Sequence, residues 1–225
     1  MRNSILLVLA MICCAAPTLS AQSFGLRVGV NATDAKFDVG EQEIETEGET
    51  NLMLGIFANL PIGTSLISIQ PELNYLNRGY SYDFNALVAG QGVSFDRTLA
   101  YVDLGAILRL NFGTENGLGF YVGAGPQYSY AVSGSVTQVT AAGETERDVD
   151  FDSDRLNRGE LQFAAIGGLS YDLGIRVFIE GRYNGSLGNQ SDGSSPDLVT
   201  IGMDEVDIRQ RSLGVNVGVM VPLGR

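Results

Sequence analysis

Hydrophobic residues alternate with polar or small ones in eight stretches of about ten residues, and no helical spacing separates them. Phe24, Leu26, Val28 and Val30 alternate with Gly25, Arg27, Gly29 and Asn31 in the first, and Leu52, Leu54, Ile56, Ala58 and Leu60 share a face in the second. The third sets Ile67, Ile69, Pro71, Leu73 and Tyr75 opposite Ser68, Gln70, Glu72 and Asn74. Val102, Leu104, Ala106, Leu108, Leu110 and Phe112 oppose Tyr101, Asp103, Gly105, Ile107, Arg109 and Asn111 in the fourth. In the fifth, Phe120, Val122, Ala124, Pro126, Tyr128 and Tyr130 oppose Tyr121, Gly123, Gly125, Gln127 and Ser129. The last three place Leu161, Phe163, Ala165, Leu169 and Tyr171 against Glu160, Gln162, Gly168 and Ser170; Ile175, Val177, Ile179 and Tyr183 against Arg176, Glu180, Arg182 and Asn184; and Leu213, Val215, Val217, Val219 and Val221 against Ser212, Gly214, Asn216, Gly218 and Met220.

Eight such runs predict an all-β fold, an eight-stranded antiparallel up-and-down transmembrane β-barrel. Connections after the second, fourth and sixth runs are short (61–65, 113–118, 172–174), and those after the odd-numbered runs are long. Outer-membrane barrels have short periplasmic turns and long outer loops, so both termini are expected in the periplasm. Aromatic placement adds two predicted girdles. Phe24, Phe112, Phe120 and Tyr171 fall at the short-turn ends of their runs, and Tyr75, Tyr130, Phe163 and Tyr183 toward the loop ends. Phe120 and Tyr130 stand ten residues apart, ~33 Å along a strand, which a tilt of ~40° projects to ~25 Å of apolar height. A soluble, lipocalin-like periplasmic binding barrel is the alternative that turns the same apolar faces inward.

The N-terminus follows a different pattern. Arg2 precedes an apolar run from Ile5 to Ala16, and Leu19-Ser20-Ala21 supplies a small residue for cleavage. Residues 1–21 therefore read as a signal peptide and 22–225 as the barrel domain. Cys13 and Cys14 both lie inside the peptide, so the exported chain is expected to have no thiol. Lipoprotein processing at Cys13 is disfavoured by the bulky Ile12 before it.

Composition narrows the chemistry. The 225 residues carry 26 acidic and 14 basic side chains, a net charge of -12, which argues against nucleic acid. Histidine is absent, which removes imidazole as base, nucleophile or metal ligand.

Several motifs resemble a known family. Gly25-Leu26-Arg27-Val28-Gly29-Val30-Asn31 is similar to the opening strand of the small porin-like outer-membrane β-barrel family common in Bacteroidota, and Gln70-Pro71-Glu72-Leu73-Asn74-Tyr75 followed by Gly79 resembles its most specific motif. Tyr101-Val102-Asp103-Leu104 through Arg109 resembles its fourth strand, and Arg182-Tyr183-Asn184 with 187–189 its seventh. Gly105 stands where that family often has proline, and the final Pro222-Leu223-Gly224-Arg225 lacks the terminal aromatic that the insertion machinery reads. The resemblance implies a fold and an outer-membrane location, and no substrate.

The inward charges form the nearest thing to a functional constellation. Arg27, Arg109, Arg176 and Arg182 face Glu72, Asp103, Glu160 and Glu180, across a lumen that eight strands leave just wide enough for side chains. Balanced signs predict an ion-paired plug rather than a selectivity ring. Glu72 and Asp103 also admit a reading as paired catalytic carboxylates, but no positioned nucleophile accompanies them. The expected function is therefore non-enzymatic: an integral barrel with a structural or loop-mediated binding role at the envelope. A narrow passive porin is the alternative. No cofactor is expected. Expected partners are outer-membrane lipid and the assembly machinery.

Acidic residues concentrate in the outer connections. Asp34, Asp38, Glu41, Glu43, Glu45, Glu47 and Glu49 stand against Lys36 alone, and Asp192, Asp197, Asp204, Glu205 and Asp207 precede the last run. Divalent cations or a basic partner are the ligands such a surface suits. Asp148, Asp150, Asp152 and Asp154 alternate like calcium ligands, but Ser153 occupies the turn position that requires glycine. The Glu, Gly and Ser content of the long connections favours disorder.

Overall fold

A computed structural model of the chain describes residues 22–39, 42–45, 47–83, 94–113, 117–140, 143–151, 157–188 and 207–223; the signal-peptide reading of 1–21 lies outside them. Ten strands are described: β1 Ser23–Val39, β2 Gln42–Glu45, β3 Glu47–Ile62, β4 Thr64–Asp83, β5 Ser94–Gly113, β6 Leu118–Thr140, β7 Gly143–Asp148, β8 Gly159–Asp172, β9 Arg176–Ser186 and β10 Asp207–Pro222. Eight of them run β1-β3-β4-β5-β6-β8-β9-β10, each antiparallel to the next, and β10 pairs back onto β1 from Ser23↔Pro222 to Asp38↔Asp207. The sheet is thus a closed barrel with no free edge in its wall.

Following paired residues once round the wall fixes the stagger. The row Leu60, Ile69, Leu108, Ala124, Ala165, Tyr183, Leu213, Ala32 returns to β3 at Thr50, so the shear is the difference between residues 60 and 50, or ten residues. Such a shear over eight strands tilts them by roughly 40°. The three short turns sit at one end. Gly174 adopts φ 95°, where an L side chain would be strained, and its N–H donates to Asp172 Oδ1 at 2.8 Å.

Period-two alternation places the apolar set outside. Leu104 is 60 % exposed, Leu161 52 % and Val215 51 %, while Arg27, Glu72, Asp103, Gln127 and Arg182 are buried within. A belt of large apolar side chains on the outer face of a closed barrel is a lipid-facing surface. The soluble-barrel alternative, which needs these faces turned inward, is overturned.

Of the long connections, residues 40–41, 84–93, 141–142, 152–156 and 189–206 lie outside the described residues. The described parts are strands where composition favours disorder: β1 continues to Val39 and folds back through β2, β4 and β5 stay paired out to Asp83↔Ser94, and β6 continues to Thr140 and returns as β7. Asp38 pairs with Glu43 and Lys36 with Glu45 in the first extension. These strands were invisible as alternation because the pattern inverts above the membrane. There the outer face meets water, and the inward positions Leu76, Leu99, Tyr101, Ala131 and Val136 form an apolar cluster with Met53. Val149 and Phe151, beyond β7, join that cluster, and Val149 N–H donates to Gly134 O at 2.9 Å.

Candidate functional site

The lumen holds the buried polar side chains, and it is ordered from the turn end upward. Lowest lie two aromatic contacts. Phe57 of β3 meets Phe178 of β9 edge-on at 5.6 Å, and the Arg109 guanidinium stacks on Tyr121 at 3.5 Å. Gly25 and Gly218 make room for the two phenyl rings, because a Cβ on either would overlap one of them. Arg109 donates to Gln70 Oε1 at 3.0 Å and Asn111 Oδ1 at 2.6 Å, so among the described residues amides and a ring, not a carboxylate, hold it.

A cross-barrel bridge follows. Glu72 on β4 faces Arg182 on β9, four strands round the wall, and takes both guanidinium NH groups at 2.7 Å. Arg27 donates to the same carboxylate at 2.8 Å, to Glu180 at 3.2 Å and to Asn74 Oδ1 at 2.6 Å. Gln70 and Asn74 donate to Glu72 as well, at 3.0 and 3.3 Å, and Tyr121 Oη donates to Glu180 Oε2 at 3.1 Å. The side chains of Arg27, Glu72, Glu180 and Arg182 are 0–1 % exposed. Burial in a low-dielectric interior is tolerable because each charge faces an opposite one and nearly every lone pair is used.

Asp103 stands higher. Arg78 pairs with it at 2.5 Å while stacking on Tyr101 at 4.5 Å, and Gln127 donates to it at 2.7 Å. Glu160 accepts from Gln162 at 2.8 Å and from the Ser186 hydroxyl.

Arg27, Glu72, Glu180 and Arg182 therefore come together, whereas the other expected members separate. Asp103 pairs with Arg78 instead, Glu160 is held by neutral groups, and Arg176 leaves the lumen for Asp172 at 3.5 Å near the β8–β9 turn, its side chain 32 % exposed. Arg176 is the first residue of its strand, too close to the turn end to reach the bridge. The paired-carboxylate reading fails because Glu72 is saturated by donors and Asp103 is ion-paired. Arg78 and Arg97, both buried, were missed. Each is six residues along the same inward phase from a recognised acid, Arg78 after Glu72 and Arg97 before Asp103, but apolar inward neighbours hid the continuation.

The remaining sites are placed as follows. Phe24, Phe112, Phe120, Tyr171, Tyr75, Tyr130, Phe163 and Tyr183 all project outward and exposed, with Phe112 stacked on Phe120 at 4.7 Å across neighbouring strands. Tyr128, not foreseen as a girdle member, is exposed beside them and covers Gly159. Asp148 and Asp150 are exposed, and Asp152 and Asp154 lie outside the described residues. Among the described residues no three acidic side chains gather as a metal site. Asn31 and Asn184 face the lumen and are buried.

Residues 20–192 match a family described as outer membrane protein beta-barrel domain. No curated protein sequence matches the chain. Among solved structures, it is similar to Neisserial surface protein A (14 % identity, TM-score 0.41, covering 88 % of this chain and 97 % of that one). It is also similar to OprG from Pseudomonas aeruginosa (11 %, 0.45, 90 % and 99 %) and to the attachment invasion locus protein Ail of Yersinia pestis (12 %, 0.35, 89 % and 98 %). The wall, its apolar belt and the matched residues agree: the chain belongs to the outer membrane protein β-barrel domain family.

Proposed function

We propose that this outer-membrane barrel is a non-conducting, non-enzymatic integral protein that acts through the strand extensions above its apolar belt. The observation that carries this reading is the Glu72 bridge, which ties β4 to β9 across the lumen through two buried arginines. Aromatic and apolar clusters lie on either side of it, Phe57 with Phe178 below and the Phe151 cluster above. An ion crossing this lumen must break buried, mutually saturating ion pairs, which cost about 3–5 kcal/mol each to disrupt one-sidedly.

The signal peptide 1–21, periplasmic termini, interfacial girdles and an insertion step handled by the assembly machinery belong to the same reading. The β1–β2 hairpin, where Asp38, Glu43, Glu45, Glu47 and Glu49 fall on or beside paired strands, supports a platform for divalent cations or a basic partner. Planar-bilayer recording of refolded protein, checked for folding by heat-modifiable mobility, tests the central point. A silent bilayer is expected, and reproducible single-channel steps from folded protein would replace this reading with the narrow porin.

A further inference from the structure

β7 extends the wall above the apolar belt, and among the described residues it pairs with β6 alone, from Ser135↔Asp148 to Thr140↔Gly143. Its other edge is a row of backbone groups to which no described strand is laddered. One hydrogen bond fixes which groups these are. Val149 N–H donates to Gly134 O at 2.9 Å, one place beyond the Ser135↔Asp148 pair. In an antiparallel ladder hydrogen-bonded and non-hydrogen-bonded pairs alternate, so Arg147 and Thr145 also turn their N–H and C=O toward β6. Glu144, Glu146 and Asp148 turn theirs away, to the open edge.

The side chains follow the same period. Val136, opposite Arg147, is buried in the apolar cluster at the mouth, so the Arg147 face is the inner one. Glu144, Glu146 and Asp148 share the outer face and are exposed. Across β6 they stand opposite Val139, Thr137 and Ser135, none of them a cation. The three residues that aim main-chain donors and acceptors at the open edge thus also carry a row of carboxylates, spaced ~6.8 Å apart along the strand.

An antiparallel strand added at this edge makes its hydrogen-bonded pairs with these three residues, and the side chains directly opposite them, on Cα atoms ~5.5 Å away, fall on the same face. Carboxylates in that row repel a strand with acids at those positions and attract one with lysine or arginine there. A second copy docked through β7 sets carboxylate against carboxylate, in a chain whose net charge is already -12, so charge turns the edge away from its own kind. We propose that the outer edge of β7 is a strand-addition site for an extended basic polypeptide, which places Lys or Arg at every second residue opposite Glu144, Glu146 and Asp148. This deepens the reading that the strand extensions are the working surface, and rests on it. It does not depend on a closed lumen, so bilayer recording and the binding assay fail separately.

The test is fluorescence anisotropy of labelled synthetic peptides titrated with the barrel refolded in zwitterionic micelles. One peptide has lysine at every second residue with threonine or valine between; another has the same composition with its lysines contiguous. The alternating peptide is expected to bind more tightly by about tenfold, since it alone sets each charge opposite a carboxylate while keeping the ladder. Methylating its lysine amide nitrogens, which face β7 in this register, is expected to weaken binding by about tenfold or more, whereas methylating the intervening amides, which face away, leaves it unchanged. Glu144→Gln combined with Glu146→Gln removes two opposite-charge pairs and is expected to weaken binding by about 2- to 25-fold. Heat-modifiable mobility identifies folded protein. No binding of the alternating peptide to folded wild type, equal binding of the two peptides, equal effects of the two methylation patterns, or an unchanged affinity in the folded double variant would overturn the proposal. If the double variant does not fold, the methylation comparison on wild type decides.

Discussion

Glu72→Gln is the sharpest probe of the lumen, because it keeps shape and removes charge. The carboxylate takes donors from Arg27, Arg182, Gln70 and Asn74 at 2.7–3.3 Å. Glutamine keeps one acceptor oxygen and turns an NH₂ group toward the two guanidiniums. Arg27 retains Glu180 at 3.2 Å, and Arg182 retains it only at 3.6 Å, so the loss is that of a buried ion pair broken from one side, about 3–5 kcal/mol. At a urea slope of ~2 kcal/mol per molar, the midpoint falls by about 2 M. The assay is urea unfolding of the barrel refolded into lipid vesicles, followed by the loss of the fast-migrating unboiled band and by circular dichroism. The double variant Glu72→Leu with Arg182→Met removes both charges and conserves apolar volume. It should lie within about 1–2 kcal/mol of wild type, since a buried pair and its hydrophobic replacement nearly balance. A Glu72→Gln midpoint within 0.5 M of wild type, or a double variant worse than the sum of its singles, would refute the reasoning that the network is a mutually dependent unit.

Two further expectations concern the wall. Leu108→Arg, mid-strand on the lipid face, should cost about 2–4 kcal/mol in the same vesicle assay, while Thr145→Arg on the exposed β7 should change stability by less than about 0.5 kcal/mol. Glycines should divide by what lies over them. Gly25→Val overlaps the Phe57 ring and should lower stability by about 1–3 kcal/mol, whereas Gly181→Ala, whose Cβ meets only Gly167 O at 3.8 Å, should fold and unfold as wild type does; equal effects on heat-modifiable mobility and urea midpoint would contradict the packing described.

Period two alone sorted the side chains into two faces, because that choice is local: successive Cβ atoms point to opposite faces whatever the neighbouring strand is; the closed wall decided that the apolar face is the outer one. It also located the eight wall strands and the three short turns. Sequence could not determine who meets whom inside. Glu72 and Arg182 are 110 residues apart, and their encounter depends on closure by β10 onto β1 and on a shear of ten, properties of the whole wall that no single strand encodes. The same stagger sends Asp103 to Arg78 and leaves Arg176 stranded at the turn end. Above the membrane the alternation itself lost its meaning, since the outer face met water and the inner face became an apolar core around Tyr101 and Phe151. Only the tertiary structure shows residues 36–39 and 42–45 of the first acidic stretch as paired strands, because their ladder partners lie across a hairpin.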